Sequence, residues 1–248
     1  MNRSIADKHN YPQYSVETLL STIFEIEDSF FISEKEKSII TRNFKNAFKF
    51  AKERHKGQTR NSGEDYIEHL KRSLHIVFKE LRQCIPEDYI SQLICAIILH
   101  DVIEDTEATR EDIESIFEDK QLGKDVATIV EYVSKKPLAD FASKKERDEE
   151  YHARLKELTK LDGDGHENIL KILALLLKAG DNIDNLRTLH SLSPDKIRET
   201  IERTNANILT LFSMSYHDNI IGVLVETIHE ANRVLEEKEA KLLQKCGT

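Results

Sequence analysis

The chain has 248 residues, 39% of them hydrophobic, which is enough to bury a substantial core. Its net charge of −9 argues against a protein that wraps nucleic acid, because that affinity comes mainly from cations that neutralise phosphates. Residues 1–13 lack the apolar core of a signal peptide, and no apolar run approaches the ~18 residues that a membrane span needs. The three cysteines form no C-x-x-C pair. These features predict a cytoplasmic protein without a disulfide framework or a thiolate zinc site.

The composition favours helices. The chain contains eight glycines, four prolines and 33% charged residues, with little strand signal, which predicts an all-α fold. Apolar spacing, helped by caps at Ser33 and Thr109, predicts helices over residues 16–30, 34–54, 66–81, 86–99 or beyond, 110–117, 123–133, 169–187, 194–212 and 220–243. Residues 144–157 are mostly charged with few apolar anchors, which predicts a solvated helix or a mobile loop.

One stretch organises the rest of the chain. Residues 93–99 form an apolar run typical of a buried helix, and four groups follow it with almost no cation nearby: His100, Asp101, Glu104 and Asp105. Burying carboxylates without partners costs several kcal/mol or forces them to protonate, so a cation is expected there. His100 and Glu104 are predicted to share one helical face, as are Asp101 and Asp105. The stretch therefore predicts a metal or a protein cation at a helix end.

A second buried helix repeats this pattern. The helix predicted over residues 169–187 places Asp181 and Asn185 on one stripe, so an apolar face becomes acidic and then amide-bearing. Gly180 costs about 1 kcal/mol relative to Ala inside a helix, and we expect the close approach of another backbone to explain it. Asp184 is expected to face solvent beside the site. Two apolar helices that both end in uncompensated acids predict a metal shared between them.

Four segments together resemble a known family. They are F-A-x3-H-x-G-Q-x-R at 50–60, G-x2-Y-I-x-H at 63–69, L-H-D-V-I-E-D-T at 99–106 and K-A-x-D-x3-N-L-R-T-L at 178–189. In this order and spacing the chain resembles the HD-domain superfamily, specifically the hydrolase domain of the RelA/SpoT alarmone enzymes and their small stand-alone relatives. The resemblance implies an all-α HD-domain helical bundle with a metal site between helices.

The resemblance also implies roles for individual residues. Metal ligands carry over to His69, His100, Asp101 and Asp181, catalytic acids to Glu104 and Asp105, and guanine-side and ribose contacts to Arg60 and Asn185. The implied reaction converts guanosine tetra- or pentaphosphate to GDP or GTP and pyrophosphate by hydrolysis of the 3′-diphosphate, with manganese as the favoured metal. Arg187 either caps its own helix or contacts a phosphate.

The ligand chemistry can be stated without the family. Two imidazoles and two carboxylates leave coordination positions open for a water and a phosphate oxygen. This mixture of nitrogen and oxygen ligands suits manganese, iron, zinc or nickel, and the order of affinities does not choose among them.

The chain departs from the family pattern at four positions. Asn61 stands where the family usually has Lys, Asp65 and Leu70 stand where it has Pro, and Gly180 stands where it prefers Ala. The missing lysine removes a cation from the nucleotide end of the pocket. Another phosphorylated substrate is therefore an alternative: a nicotinamide dinucleotide phosphate, a deoxynucleotide or a modified RNA end. A third hypothesis is a catalytically silent nucleotide-binding regulator, against which the two intact catalytic acids argue.

We expect one hydrolase unit with two extensions. Residues 1–34 form an N-terminal helical extension, residues 35–215 the HD hydrolase domain, and residues 216–248 a C-terminal helix that packs on the same domain. The family's synthetase half is expected to be absent, since no room is left for a second domain of ordinary size. A guanosine polyphosphate is the expected partner, whereas a membrane and bulk nucleic acid are not. The outer helices are candidates for a homodimer surface.

Overall fold

The computed structural model describes residues 13–24, 33–205 and 218–246. These ranges are built from helices, and the one β-bridge among them joins Thr59 to Asp65. The helices are α1 Val16–Phe24, α2 Glu34–Arg54, α3 Tyr66–Glu80, α4 Ile90–Leu99, α5 Val102–Asp105, α6 Arg110–Ser115, α7 Lys120–Val133, α8 Lys144–Glu157, α9 Gly165–Arg187, α10 Pro194–Arg203 and α11 Asp218–Cys246. The predicted all-α fold is confirmed.

Helix α4 lies at the centre of the bundle. It packs against α2, α7, α3 and α9, and its residues from Leu93 to Leu99 are all fully buried. A helix that is apolar on every side must be enclosed in this way, so its end carries the following polar residues into the interior. Helix α1 packs on α3, and α11 packs on α9 and α10. Within the described ranges, no helix has the length and apolar content that a membrane span requires.

Most helix boundaries follow local sequence signals. Capping boxes begin α2 at Ser33 and α6 at Thr109, and Ser193 caps α10 with Pro194 in its first turn. In each case a side-chain oxygen accepts from a free backbone N–H of the first turn. Two predicted helices, those over 16–30 and 194–212, extend into ranges that the structure does not describe, so only their parts up to residues 24 and 203 can be compared.

The organising stretch is broken into two helices, which corrects the prediction of one continuous helix. Helix α4 begins at Ile90, after a short 3₁₀ turn that follows Pro86, and ends at Leu99. His100 and Asp101 form a turn, and α5 begins at Val102. The His100 ring bonds back to the Ile97 carbonyl at 2.8 Å, which ties the turn to the end of α4. Because of this break, the side chains of His100 and Asp101 in the turn and those of Glu104 and Asp105 in α5 point in different directions.

The charged segment at 144–157 is helix α8, and it is not fully solvated. Tyr151 and Leu155 are 3% and 0% exposed, and the Tyr151 hydroxyl donates to the Val133 carbonyl at 2.8 Å. Arg154 donates to the carbonyl of Tyr132, in the last turn of α7, and to that of Ser134, just after the helix. Two apolar anchors and these bonds hold a face of α8 against the bundle, which the low apolar content of the segment concealed.

Gly180 lies where α9 passes α3. A Cβ built on it comes within 2.4 Å of Val77 Cγ2 and 3.1 Å of the Ser73 carbonyl oxygen. Valine is stiff at χ1 in a helix and the carbonyl belongs to the α3 backbone, so neither neighbour moves easily. The close helix approach predicted from Gly180 is therefore confirmed.

We expect Gly180→Ala to lower the free energy of unfolding by about 1–3 kcal/mol, because the overpacking outweighs the helix propensity that Ala gains. Gly165→Ala is the matched control, since it lies in the same helix and an added Cβ meets nothing within 4 Å. Urea unfolding followed by circular dichroism measures both variants. Equal stability of the two variants contradicts a tight contact at Gly180.

Candidate metal centre and substrate pocket

Four side chains from two helices and one turn converge on a single point. His69 comes from α3, His100 and Asp101 from the turn after α4, and Asp181 from α9. The Asp101 Oδ2 atom lies 3.6 Å from His69 Nε2 and 3.0 Å from His100 Nε2. The Asp181 Oδ1 atom lies 3.3 and 3.9 Å from the same two nitrogens. The structure thus brings together all four predicted metal ligands.

Each histidine is oriented by a bond to its other ring nitrogen. His69 Nδ1 lies 2.7 Å from Asp184 Oδ2, and His100 Nδ1 lies 2.8 Å from the Ile97 carbonyl oxygen. A carboxylate and a carbonyl only accept, so both Nδ1 atoms donate and each neutral ring keeps its lone pair on Nε2. Among the described residues these two buried Nε2 atoms have no hydrogen-bond partner.

Two unpartnered lone pairs that face two carboxylates fit a divalent metal ion. Such buried polar atoms are costly unless something binds them. The potential ligand atoms of His69, His100 and Asp101 all lie within 4.8 Å of one another. Nitrogen and oxygen donors in this combination suit first-row divalent metals.

The electrostatics of the cluster require a cation. Burial by itself lowers the pKa of an imidazole, but the carboxylates of Asp101 and Asp181 raise the pKa of His100 to about 9. Burial likewise raises the pKa of a carboxyl, yet His100 holds that of Asp101 below its usual range. Lys178 Nζ, 2.6 Å from Asp181, does the same for the pKa of Asp181. The carboxylates therefore stay ionised and attract a proton or a metal.

Tyr66 connects the metal cluster to Asp105. Its hydroxyl oxygen lies 2.6 Å from Asp101 Oδ2 and 2.7 Å from Asp105 Oδ2. One hydroxyl has a single proton to donate, so it satisfies one carboxylate fully and the other only if that carboxyl is itself protonated. Burial and the charge of Asp101 raise the pKa of Asp105. Asp105 is therefore the carboxyl suited to hold the shared proton.

Glu104 points elsewhere. Its two carboxylate oxygens accept from the Lys135 side chain at 3.1 Å and from the Lys135 backbone N–H at 3.0 Å. The predicted pairing of His100 with Glu104 on one helical face is wrong, because α4 ends before His100 and Glu104 belongs to α5. Both predicted catalytic acids nevertheless line the same pocket.

Arg60 and Asn185 meet although they are far apart in sequence. Arg60 lies on the loop that turns at Gly63, whose φ of +85° is a conformation that glycine adopts without strain. The Arg60 guanidinium donates to Asn185 Oδ1 at 2.7 Å and lies 5.9 Å from the centre of the Tyr66 ring. Asn185 in turn donates to Asp181 at 2.6 Å. The two predicted nucleotide contacts thus adjoin the metal ligands.

The cluster opens into a pocket of about 490 Å³. Its lining includes His69, Asp101 and Asp181 together with both acids. Helices α8 and α10 add four cations, here called the cationic wall: Lys144, Arg147, Lys196 and Arg203. This wall was not predicted from the sequence, because surface charge on two separate helices gives no signal that the helices face one cavity.

Two predictions at the end of α9 need correction. Arg187 does not line the pocket; its guanidinium forms two bonds to Glu80 on α3, at 2.5 and 2.8 Å. It joins α9 to α3, so the geometry does not support a phosphate contact. Asp184 does not face solvent: it is 1% exposed and bonds to His69 and Arg72. A single-sequence pattern gives the face of a helix but not the partner that covers it.

Comparison with known proteins identifies several relatives. The chain is 38% identical over 165 residues to the bifunctional (p)ppGpp synthase/hydrolase SpoT of Escherichia coli strain K12, an alignment that covers 65% of this chain and 20% of the relative. It is 35% identical over 156 residues to the guanosine-3′,5′-bis(diphosphate) 3′-pyrophosphohydrolase of Vibrio cholerae, covering 61% and 19%. A protein of the same name from Haemophilus influenzae is 34% identical over 155 residues, covering 62% and 20%.

The chain therefore matches about one fifth of the length of these curated relatives. The family profile described as an HD domain matches residues 47–214, which contain every residue of the metal cluster and the pocket wall. Because this match covers more than half of the chain, the protein belongs to the HD-domain family.

Proposed function

We propose that this protein is a metal-dependent hydrolase that removes pyrophosphate from the 3′ position of guanosine 3′,5′-bis(diphosphate) or its triphosphate analogue. The observation that carries the proposal is a pocket that joins a ligand cluster with two unpartnered imidazole nitrogens to a cationic wall. Relatives at 34–38% identity are named for this reaction, which supports the substrate. A polyphosphate has the charge to span both ends of the pocket.

In this proposal the metal is held by His69, His100, Asp101 and Asp181. We propose manganese, which suits the mixed nitrogen and oxygen donors and which the family resemblance favours. When bound, a divalent metal lowers the pKa of water and offsets charge that develops on phosphorus.

The acids are assigned separate proton roles. Asp105 has a raised pKa and adjoins Tyr66, so we propose that it supplies the proton that the ribose 3′ oxygen needs when the bond from phosphorus to this oxygen breaks. Glu104 is oriented by its bonds to Lys135 and lines the pocket, which suits it to orient the attacking water and accept its proton. Water oxygen enters the departing pyrophosphate, and the ribose keeps its hydroxyl.

The nucleoside and its second phosphate group are assigned to the rest of the pocket. Arg60 and Asn185 are proposed to contact the base side and the ribose. The wall holds four cations, Lys144, Arg147, Lys196 and Arg203, against two acids, Asp148 and Glu199. Arg147 Nε is buried and has no hydrogen-bond partner in the described structure. This local excess of positive charge suits the 5′ phosphates in a protein of net charge −9.

The organisation around this site is proposed as well. We assign residues 35–215 to the hydrolase domain, with residues 1–34 and 216–248 as helical extensions, and place the protein in the cytoplasm. Support comes from two free cysteines, Cys84 and Cys95, which suit a reducing compartment. The outer faces of α1 and α11 are the candidates for a homodimer surface, and Leu243 on α11 is 74% exposed.

Product analysis tests the reaction. With manganese and guanosine 3′,5′-bis(diphosphate), the purified protein is expected to release GDP and pyrophosphate in equal amounts, and a chelator is expected to stop it. Asp101→Ala removes a ligand and should reduce turnover by about a hundredfold or more. Asp88→Ala, at an exposed carboxylate outside the pocket, is the control that should retain activity.

The alternatives give different results in the same assay. Asn61 lines the pocket at the position where the family usually has Lys, so another phosphorylated substrate remains an alternative. If the tetraphosphate survives while NADPH, a deoxynucleoside triphosphate or a capped RNA end is cut, the metal site stands and the substrate is wrong. If metal and nucleotide bind but nothing is cut, the protein is a silent regulator.

The cationic wall predicts a selective loss of substrate binding. Arg147→Glu should raise KM about tenfold or more at low salt with a smaller change in kcat, and the effect should shrink as salt is added. Lys145→Glu is the matched control: it lies in the same helix, carries the same charge change, is 85% exposed and does not line the pocket. Steady-state kinetics at two salt concentrations measures both. An equal change in KM for the two variants means that only net charge matters.

A further inference from the structure

A chain of four buried or half-buried groups runs behind the metal cluster. Glu64, in the loop before α3, binds Arg72 of α3 through two bonds of 2.6 and 2.9 Å. Arg72 Nε donates to Asp184 Oδ1 of α9 at 2.7 Å, and Asp184 Oδ2 accepts from His69 Nδ1 at 2.7 Å. Every link is short and charge-assisted, so the four groups form one continuous network.

Burial makes the network rigid. His69, Arg72 and Asp184 are 0%, 5% and 1% exposed, and the Glu64 side chain is 16% exposed. Asp184 accepts a third bond, from Arg72 Nη2 at 3.2 Å, so the carboxylate is fixed from both sides. The network contains two carboxylates and one guanidinium, which leaves an excess negative charge. That charge lies next to the His69 ring.

We propose that Asp184 is the positioning residue for His69: it holds the ring with the proton on Nδ1 and turns the Nε2 lone pair toward the metal position. Arg72 and Glu64 in turn hold Asp184. This inference rests on the proposed metal site. Carboxylates bonded to the far nitrogen of a metal-binding histidine commonly fix its tautomer and orientation, and their loss weakens metal binding about 10- to 100-fold.

The network also reaches the substrate side of the pocket. The Glu64 carbonyl oxygen accepts from the Arg60 backbone N–H at 2.9 Å, within the loop that carries the Arg60 side chain to Asn185. Glu64 therefore fixes the loop through its backbone and Arg72 through its side chain. One network positions a metal ligand and the loop that bears a proposed nucleotide contact.

An asparagine at position 184 disrupts this arrangement in a defined way. Its Oδ1 can accept from only one of the two donors, and its NH₂ group must then face the other. If the NH₂ group faces His69, Nδ1 becomes an acceptor and the ring proton moves to Nε2, where it blocks metal binding. If the NH₂ group faces Arg72, two donors oppose each other. Since Arg72 is always charged, the first arrangement is favoured.

We expect Asp184→Asn to weaken Mn²⁺ binding about 10- to 100-fold in isothermal titration without nucleotide. In the metal-free protein at alkaline pH, long-range ¹H–¹⁵N spectra should show the His69 proton on Nδ1 in the wild type and on Nε2 in the variant. The His69 signals are assigned by comparison with His69→Asn. Asp125→Asn is the matched control, because Asp125 is also buried, at 2% exposure, and bonds to His166 Nε2 at 2.9 Å, outside the pocket.

Each result has one interpretation. The inference is overturned if folded Asp184→Asn keeps both the Mn²⁺ affinity and the His69 tautomer of the wild type. It is also overturned if the metal-free wild type itself carries the His69 proton on Nε2, a result that needs no variant. If Asp184→Asn and Asp125→Asn lose Mn²⁺ affinity equally, Asp184 only supports the fold in general, and the inference is overturned as well. Failure of the wild type to bind Mn²⁺ at all instead contradicts the proposed metal site, so the two failures are distinguishable.

Discussion

The helix bundle encloses two carboxylates, Asp101 and Asp181, beside two histidine rings, and this arrangement favours a cation between them. Asp101 and Asp181 approach two histidine nitrogens within 4 Å, in a place from which the apolar helices exclude most water. The same carboxylates raise the pKa of the His100 imidazole, so a proton and a metal compete for its Nε2 atom. A divalent ion satisfies both the carboxylates and the nitrogens that otherwise lack partners. Metal binding is therefore linked to proton release and to the stability of the surrounding helices.

The packing of the bundle and the geometry of the site share a single contact. Gly180 lets α9 approach α3 closely, against Ser73 and Val77. Asp181, the next residue, and His69, one turn before Ser73, then face each other across the interface. A side chain at Gly180 would separate the two helices where their ligands must meet. The glycine therefore serves the site even though it weakens the helix that contains it.

Local signals made much of this fold predictable from sequence. Capping residues fixed the starts of α2 and α6, apolar spacing located the buried helices, and Gly180 indicated a close approach. The four residues of the cluster were predicted to come together because their motifs resemble a family, which periodicity alone does not reveal. The turn at His100 and Asp101 was not predicted, since the residues on both sides of it favour helix and the bond that ties it to α4 comes from a side chain.

Contacts between distant parts of the chain escaped the sequence analysis for a different reason. Asp184 and Arg187 lie on one helix end, yet the first is buried by Arg72 and the second is held by Glu80, each more than 100 residues away. Helical periodicity places a side chain on a face, but the identity of its partner depends on which helix covers that face. For the same reason, the sequence did not indicate that α8 lines the pocket. Its charged residues are typical of a solvated surface, and only the structure shows that α10 lines the same pocket.

Two different parts of the fold thus control two different properties of the pocket. Helices α3 and α9 and the turn after α4 are fixed by burial and supply the candidate metal cluster, whereas the cationic wall comes from half-buried or exposed residues of α8 and α10, such as Arg147 and Arg203. Charges beyond about 8 Å are largely screened at physiological salt, so the wall acts on a bound anion despite the acidic surface of the protein. Under the proposed function, substitutions on α8 and α10 are therefore expected to change which phosphorylated compound binds without disturbing the buried cluster.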